Sequence, residues 1–286
     1  MTFSVVVTTF NRPQLLEQAL KGIEGQLHPP HQIIVVDDAS VKDNRAIIRQ
    51  FSNLTITYHK LPLHSGANMA RNAGILLANQ DVVAFLDDDD IWFEDYLQTL
   101  NEYYTQGAQA IVTGFQRLEK RTLHLNTDSF VTKASLQKGN TYCGTSGFSC
   151  KREHLTKIQF DEDLYNGQDW DMYVQLVQHD VPITNISKPL FYYREGSFLS
   201  ISKMQIAMTP EDVDIRFRSA NKHRKFIGEA NYRRRIGEQI LMHLLQKRDK
   251  RAWVKKAISE VGVWVTLTLL VEFAARVLSR KFSNHR

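Results

Sequence analysis

The feature with the most evident chemistry is a run of four aspartates, Asp87 to Asp90, directly after the apolar segment VVAFL (82–86). Four adjacent carboxylates repel one another, and burying one without a partner is costly. A divalent cation removes this conflict, because Mg²⁺ and Mn²⁺ prefer carboxylate and phosphate oxygens. Alternate side chains of an extended segment point the same way, which predicts that Asp87 and Asp89 share one metal ion. The alternative is a solvated acidic loop that caps a helix beginning near Trp92.

Three further aspartates lie where chemistry is expected. Asp37 and Asp38 end the apolar run IIVVDD (33–38), where one carboxylate can accept a hydrogen bond from a base or from ribose. The alternative for this pair is an N-cap of the next helix. Asp169 falls in the first turn of a predicted helix (167–180), where the helix dipole favours its charged form. Asp169 is therefore either a general base, whose pKa burial must raise, or an acid that only stabilises the helix.

The elements that position these residues alternate between strand and helix. Continuous apolar runs predict strands at 3–8, 33–38, 56–59 and 82–90, and apolar spacing predicts helices after Pro13, at 43–51 and at 67–79. This alternation predicts a parallel sheet covered by helices on both faces. Ligands gather beyond the carboxyl ends of the strands in such sheets. Both acidic segments are expected at that edge.

The second part of the chain has a looser pattern. The expected elements are a strand at 110–118, an irregular polar stretch at about 119–140, a strand leading into a short helix at 145–155, a return to the sheet at 182–193, and helices from about 208 onward.

These segments together resemble the family 2 glycosyltransferases of the GT-A fold, which have a Rossmann-like, mostly parallel sheet flanked by helices. The matching segments are VVVTTFNRPQLLEQAL (5–20), QIIVVDDAS (32–40), HSGANMARNAGILLA (64–78), VVAFLDDDDIW (82–92), GQDWDMYVQL (167–176) and PLFYYREGS (189–197). The resemblance implies a GT-A catalytic domain over residues 1–205, with a nucleotide-sugar half at about 1–110 and an acceptor half at about 111–205. Residues 206–286 would form a helical, basic extension.

The resemblance implies roles for individual residues. The nucleotide-sugar would be bound by Thr8, Asn11, Arg12, Asp38, His64, Gly66, Arg71, Asp87, Asp88 and Arg194. Thr8 and Asp38 would contact the base, and Asp87 or Asp88 the ribose. The segment that contains Arg71 would cover the ribose and the diphosphate. Arg194 would help to neutralise the diphosphate, because a guanidinium matches phosphate geometry.

The metal and the general base are also implied by the resemblance. Mn²⁺ or Mg²⁺ would be held by Asp87 and Asp89, although the register Asp88/Asp90 also satisfies the DxD pattern. Asp169 would be the catalytic base. The family's usual Glu-Asp-Trp is Gln-Asp-Trp here, so a second carboxylate that assists Asp169 is absent from this motif.

The implied activity is that of an inverting hexosyltransferase. It would move a sugar from a nucleotide-sugar, with a UDP-sugar as the expected donor, to a glycan or lipid-linked acceptor in lipopolysaccharide, O-antigen or capsule synthesis. A sugar-nucleotide pyrophosphorylase is one alternative, but the segment TTFNRP after the first strand is not a glycine-rich phosphate loop. A non-catalytic glycan-binding module is another, and it gives no reason for the acids at two strand ends and Asp169.

Charge and apolar residues are concentrated at the end of the chain. Residues 221–286 carry 16 basic and 5 acidic side chains, whereas the first 220 residues carry 20 and 26. Only eleven uncharged residues lie between Glu260 and Glu272, fewer than the roughly 20 that span a bilayer. With Trp253 and Trp264 nearby, this composition predicts a helix in the membrane interface. The alternative is a helix packed on the catalytic domain or on a second subunit, as in a homodimer.

Composition also predicts the compartment and excludes some partners. Met1 leads straight into the apolar run Val5–Val7 without the basic region of a secretory signal. Cys143 and Cys150 have no zinc-ligand spacing, which favours free thiols in a reducing compartment. No nucleic-acid-binding motif accompanies the basic residues, so nucleic acid is not an expected partner. The predicted location is cytoplasmic, at the inner face of the cytoplasmic membrane.

Overall fold

The computed structural model describes residues 1–195 and 206–283, with side chains as far as residue 275. The described chain divides into two compact units. The first contains 1–136, 140–163 and the segment from Gln168 through the last strand, and the second contains 137–139, 164–167 and the helices beyond 206. The predicted domain boundary at residue 205, and the last two residues of the segment PLFYYREGS, lie outside the described residues.

A mixed sheet forms the centre of the first unit. Its strands are β1 (Phe3–Thr9), β2 (Gln32–Asp37), β3 (Ile56–Lys60), β4 (Val82–Asp87), β5 (Ile91–Trp92), β6 (Ala110–Arg117), β7 (Leu123–His124), β8 (Phe148–Lys151) and β9 (Ile183–Tyr193). Their order in the sheet is β3-β2-β1-β4-β8-β6-β9-β5, and β7 pairs with β6. The predicted α/β fold class is confirmed.

Helices connect these strands. They are α1 (Pro13–Glu24), α2 (Arg45–Ile48), α3 (Ala67–Leu77), α4 (Tyr96–Thr105), α5 (Lys133–Lys138), α6 (Arg152–Leu155) and α7 (Gln168–Gln178), with a 3₁₀ turn at Thr145–Gly147. Helix α3 lies unusually close to strand β1. A Cβ added to Gly74 would lie 2.3 Å from Cγ1 of Val6, so only glycine permits this approach.

The first four strands are parallel, and their alignment creates the predicted edge. Strand β1 pairs with β2 on one side and with β4 on the other, and all of its residues are buried. Thr8 is opposite Asp87 of β4, and Thr9 is opposite Asp37 of β2. The carboxyl ends of three neighbouring strands therefore meet at one edge of the sheet, which brings both acidic segments together.

The structure differs from the sequence predictions at several elements. Strand β4 ends at Asp87 rather than residue 90, because the chain turns and Asp90 N–H donates to the Asp87 carbonyl at 3.1 Å. The helix predicted at 43–51 spans only Arg45–Ile48. Residues 119–140, predicted to be irregular, contain β7 and α5. Strand β8 lies antiparallel between β4 and β6, so the continuous parallel order stops at β4.

The second unit is helical. Its helices are α8 (Arg218–Lys222), α9 (Arg224–Ile227), α10 (Glu229–Leu241), α11 (Lys250–Val261) and α12 (Val263–Ser283), with 3₁₀ turns at Asp212–Phe217 and Leu244–Gln246. Gly262, at φ +85°, separates α11 from α12. Arg234 and Glu272 join α10 to α12 through two hydrogen bonds of 3.0 and 2.6 Å.

The apolar end of the chain has one packed side and one open side. Trp253, Val261 and Leu269 are buried, whereas Trp264 is 83% exposed and Val271 is 68% exposed. The interpretation of Trp253 as an interfacial side chain is therefore wrong, because it belongs to the core of the second unit. Among the described residues, no helix has the length and apolarity needed to cross a bilayer.

Candidate active site

Asp87 is the centre of a hydrogen-bonded group at the edge of the sheet. Its Oδ1 accepts a 3.2 Å hydrogen bond from the Thr8 hydroxyl and a 2.7 Å hydrogen bond from Nη2 of Arg71. Arg71 is 4% exposed, and its Nη1 donates to Oδ1 of Asn68 one turn earlier in α3. The helix thus presents a fixed guanidinium to the end of β4. Thr8, Arg71 and Asp87, all predicted to bind the nucleotide-sugar, lie together.

The turn after β4 separates the remaining aspartates. Asp88 accepts from the Thr9 hydroxyl at 2.7 Å and from Nη1 of Arg12 at 3.2 Å. The same Arg12 atom lies 3.0 Å from Oδ2 of Asp89. Asp90 accepts a 3.0 Å hydrogen bond from the backbone N–H of Arg194. Arg12 therefore partly neutralises the carboxylates of Asp88 and Asp89, which lie between β4 and β5.

The four carboxylates differ in their access to solvent. The side chains of Asp87 and Asp89 are 29% and 21% exposed. Asp88 and Asp90 are each 4% exposed. Burial and the charge of Asp89 raise the pKa of Asp88 to about 7, and the same two causes raise the pKa of Asp90 well above its ordinary value. Only Asp87 and Asp89 of the run are open to a ligand.

These two open carboxylates fit a hard divalent cation only in part. No group of three His, Cys, Asp or Glu side chains in the described part of the chain is arranged to hold a metal ion. Mg²⁺ is commonly bound by one or two carboxylates together with the phosphates of a substrate. Asp87 and Asp89 match that pattern, in which a bound diphosphate supplies the remaining oxygens. The prediction that they share one extended segment is wrong, because Asp88 and Asp89 lie in the turn.

Arg194 lies against the same turn. Its Nε donates to the carbonyl of Asp89 at 3.0 Å, and its Nη2 donates to Oε1 of Gln18 at 2.8 Å. Its guanidinium thereby holds the backbone of the acidic run.

Asp38 organises the segment before α3. Its Oδ1 and Oδ2 accept from the N–H groups of Ser65 and Gly66 at 2.7 and 2.8 Å, and its Oδ2 lies 2.8 Å from Nδ1 of His64. The ring of His64 stacks on Phe10 at 3.9 Å between centroids. Asp38 is thus not the N-cap of the next helix, a position that Asn44 occupies.

The loop after β1 is fixed by its own hydrogen bonds. Asn11 has a left-handed conformation, with φ of 55°. Its N–H donates to the Ser40 hydroxyl and its side-chain oxygen accepts from the N–H of Val41, each at 2.8 Å. Asp37 is fully buried and accepts from Tyr58 and other donors, so it has a structural role. These contacts join the loops after β1 and β2.

Asp169 lies in the first turn of helix α7, which begins at Gln168, and its side chain is half-buried. Its Oδ2 accepts a 2.6 Å hydrogen bond from Nδ2 of Asn140. Burial raises its pKa, while the N–H of Trp170, the amide of Asn140 and the charge of Arg71 each oppose that rise. The raised pKa is the offset that a base at a helix N-terminus requires.

Three contributors were missed by sequence reasoning. Phe10 supplies the surface on which His64 stacks, Asn140 orients Asp169, and the Ser146 hydroxyl accepts from the N–H of Asp87 at 3.1 Å. Asn140 and Ser146 lie far from the acidic residues in sequence, and only the long-range folding of 140–148 brings them close. Phe10 lies inside the matching segment VVVTTFNRPQLLEQAL (5–20), and its aromatic ring is the feature that could have marked it as a stacking residue.

Solved structures share this architecture. A crystal structure of Staphylococcus aureus TarS 1–349 in complex with UDP-GlcNAc superposes with a TM-score of 0.66 at 18% identity, covering 90% of this chain and 79% of that chain. The mannosyltransferase PcManGT from Pyrobaculum calidifontis, in complex with GDP-Man and Mn²⁺, gives 0.61 at 18%, covering 96% and 80%. The fold is that of the GT-A glycosyltransferases.

Sequence comparison then gives the family. Residues 4–158 match the family described as "Glycosyl transferase family 2", and the chain belongs to it. An uncharacterized glycosyltransferase of Nostoc is 29% identical over 171 residues, which cover 55% of this chain and 53% of that protein. The chain therefore spans about half the length of that relative.

Two relatives have more informative names. The amylovoran biosynthesis glycosyltransferase AmsB of Erwinia amylovora is 27% identical over 219 residues, covering 68% of this chain and 69% of that protein. The GalNAc(5)-diNAcBac-PP-undecaprenol beta-1,3-glucosyltransferase of Campylobacter jejuni is 32% identical over 176 residues, covering 58% and 56%. Both relatives, to which this chain is similar, are named as glycosyltransferases, and the first is named for amylovoran biosynthesis.

Proposed function

We propose that this protein is an inverting hexosyltransferase that uses a nucleotide-sugar, with a UDP-sugar as donor. The observation that carries the proposal is the position of Arg71. Its guanidinium bonds Asp87 at the edge of the sheet, and its charge also lowers the pKa of Asp169. The buried guanidinium of Arg71 therefore interacts with both the proposed donor-binding carboxylate and the proposed base. This is the arrangement that transfer between a bound donor and an activated acceptor needs.

The nucleotide is proposed to bind along the carboxyl ends of β1, β2 and β4. Thr8 and Asp38 face the base, and Asp38 already holds the segment of His64 and Gly66 that would cover the ribose and the diphosphate. Gly66 has φ +93°, and apart from its chain neighbours no atom of the described residues lies within 4 Å of the position of a Cβ, so the backbone is open to a close-lying ligand. Asn11 and Arg12 adjoin this surface, and Asp87 or Asp88 would bind the ribose. TarS, which shares the fold, was solved with UDP-GlcNAc.

A divalent cation, Mn²⁺ or Mg²⁺, is proposed to be held by Asp87 and Asp89, the two open carboxylates of the run. When bound, it would neutralise the diphosphate as that group leaves. Nη1 of Arg12 lies 3.0 Å from Oδ2 of Asp89, and Arg12 would release this carboxylate to the cation and bind phosphate oxygens instead. Arg194 would add a second guanidinium near the diphosphate. The fold neighbour PcManGT was solved with Mn²⁺.

Asp169 is proposed to accept the proton of the acceptor hydroxyl. The hydroxyl oxygen then forms a bond to the anomeric carbon while the bond from that carbon to the diphosphate oxygen breaks, which inverts the configuration. Asn140 orients the carboxylate through its 2.6 Å hydrogen bond. In this scheme residues 1–110 contribute mainly to the donor and 111–205 to the acceptor, within a catalytic domain of residues 1–205.

The acceptor is proposed to be a glycan or a lipid-linked glycan of a surface polysaccharide. The relative from Campylobacter is named for an undecaprenol-linked acceptor. In this chain, α12 exposes Val263, Trp264 and Val271, and the segment beyond residue 220 carries an excess of basic side chains. We propose that this face lies on the inner leaflet of the cytoplasmic membrane, where anionic lipid attracts it. A second copy of the chain is the competing occupant.

A donor screen tests the proposed function. Hydrolysis would be measured with UDP-, GDP- and dTDP-sugars in Mn²⁺, for the wild type and for Asp169→Asn. Asp180→Asn is the matched control, because Asp180 lies in a left-handed conformation that asparagine also adopts, beyond the end of α7. We expect turnover of a UDP-sugar that only Asp169→Asn impairs. Lack of turnover with every donor, in conditions where the protein is folded, would contradict the proposal.

A further inference from the structure

Three basic side chains gather at the end of helix α10 in the second unit. Arg216 is 5% exposed and Lys247 is 2% exposed, while His243 is half-buried. Arg216 Nε donates to Oε1 of Gln239 at 2.9 Å, and Lys247 Nζ donates to the carbonyl of Ile240 at 3.0 Å. Consecutive residues of α10 therefore hold two cations at the same helix end.

The charges of this cluster affect one another. Burial, together with the charge of Arg216, lowers the pKa of Lys247 to about 8. Burial and the charges of Lys247 and Arg216 lower the pKa of His243. The part of the chain that the structure describes provides no partner for the buried Nη1 of Arg216. Buried like charges with an unsatisfied donor are costly, and an anion would remove that cost.

A purely structural role accounts for only part of this arrangement. Cations at a helix C-terminus are favourable, and Lys247 satisfies one free carbonyl of α10. The helix dipole, however, amounts to only about half a charge at that end. It leaves Nη1 of Arg216 without an acceptor among the described residues, and the repulsion between Arg216 and Lys247 remains. The helix end alone therefore does not explain a second buried cation.

We propose that Arg216, His243 and Lys247 form a binding site for a phosphate group carried by a membrane lipid. Guanidinium, imidazole and ammonium groups are suited to phosphate oxygens, and the free Nη1 supplies a donor. Met242 and Leu245, on either side of His243, are 38% and 59% exposed. They offer apolar contacts that a lipid uses and a free phosphate does not. All of these residues belong to the second unit, so the proposal is separate from donor binding in the first.

Titration calorimetry of the full chain tests this site with two probes, inorganic phosphate and dihexanoylphosphatidic acid below its micelle concentration. We expect saturable binding of the lipid at least about tenfold tighter than that of phosphate, because the lipid adds apolar contacts. Arg216→Gln is expected to weaken lipid binding by about tenfold or more, since it removes a charged hydrogen-bond donor.

Two further variants keep the test decisive. Lys247→Met removes the ammonium group and retains a stem to cover the ring of Trp253, which lies 3.1 Å from Nζ, so it replaces Arg216→Gln if that variant does not fold. Arg251→Gln removes an exposed charge in the first turn of α11, four positions after Lys247 in the sequence, and should change affinity less than about twofold. Absence of binding, or equal losses in Arg251→Gln and in the folded site variants, would overturn the site. Equal affinity for both probes would overturn the lipid as its source. Donor hydrolysis by the same variants reports separately on the first unit.

Discussion

Arg71 donates a 2.7 Å hydrogen bond from Nη2 to Oδ1 of Asp87, although it comes from helix α3 and Asp87 ends strand β4. The contact depends on the close approach of α3 to β1 at Gly74, which lacks a Cβ that would meet Val6. A helix held this near the sheet can present a buried guanidinium to the strand ends. Packing in the core thereby sets the charge at the proposed donor site.

Substitution Arg71→Gln should change the pH dependence of turnover. The charge of Arg71 lowers the pKa of Asp169, so its removal should raise that pKa further. Asp169 acts as a base only when deprotonated, and kcat should therefore fall at a higher pH than in the wild type. The measurement is kcat against pH with saturating donor. If kcat of the variant falls at the same pH as kcat of the wild type, Arg71 does not affect the pKa of the base.

The substitution Asp169→Asn should reduce kcat by about 10² to 10⁴, the usual effect of removing a general base. The carboxylate accepts from Asn140, and an amide keeps its size but not its basicity. Donor affinity, measured by calorimetry with UDP, should stay near that of the wild type. If UDP affinity collapses while kcat survives, Asp169 is a binding residue instead.

Metal-dependent binding of UDP should require the exposed aspartates of the run and not the buried ones. Asp89→Asn is expected to abolish most metal-dependent UDP binding with little change in Tm, because Asp89 is 21% exposed. Asp90→Asn should mainly change stability, since Asp90 is buried and accepts from the N–H of Arg194. Calorimetry with and without Mn²⁺, together with thermal unfolding, measures both effects. Undiminished turnover in excess EDTA would refute the proposed cation.

Membrane binding should depend on the exposed side of α12. The double variant Trp264→Ser/Leu267→Ser removes side chains that are 83% and 48% exposed, and should reduce flotation with anionic liposomes. Binding by the wild type should weaken in high salt, because the charge contribution is screened. Leu76→Ser is the control, since Leu76 is 68% exposed but lies in α3. A concentration-dependent dimer that the double variant disrupts, without any flotation, would identify a second copy as the occupant.

Deletion of residues 253–286 would not separate membrane binding from folding of the second unit. Trp253 and Val261 are buried in the second unit, so removal of residues 253–286 would expose apolar core. Point substitutions on the open side leave those contacts intact.

The parallel part of the fold was predictable because its signals are local. Val5–Val7 and 33–36 are short β-branched runs, and Asp87 follows the apolar run VVAFL (82–86), so strand type and the shared edge could be derived from sequence. The antiparallel insertion of β8 was not predictable, since the four residues Phe148–Lys151 carry no signal for their partners. Strand pairing over long sequence distances is decided by packing of the whole sheet.

The candidate site was predictable to a similar extent. Residue types indicated the acidic positions and Arg71, whereas the accessibility of Asp87 and Asp89 depends on a turn that begins at Asp88. The pairing of Asn140 with Asp169 joins residues 29 positions apart and was not readable from spacing. Burial that raises the pKa of Asp169 likewise depends on tertiary packing.

The most direct test of the central claim is proton NMR of the sugar first released from the donor that the screen identifies. The account predicts single displacement with Asp169 as the base, so a donor with an α-linked sugar should yield the β-anomer before mutarotation. Asp169→Asn should slow this release by about 10² or more, whereas Asp180→Asn should not. Initial release of the α-anomer, or equal rates in the wild type and Asp169→Asn, would contradict the account.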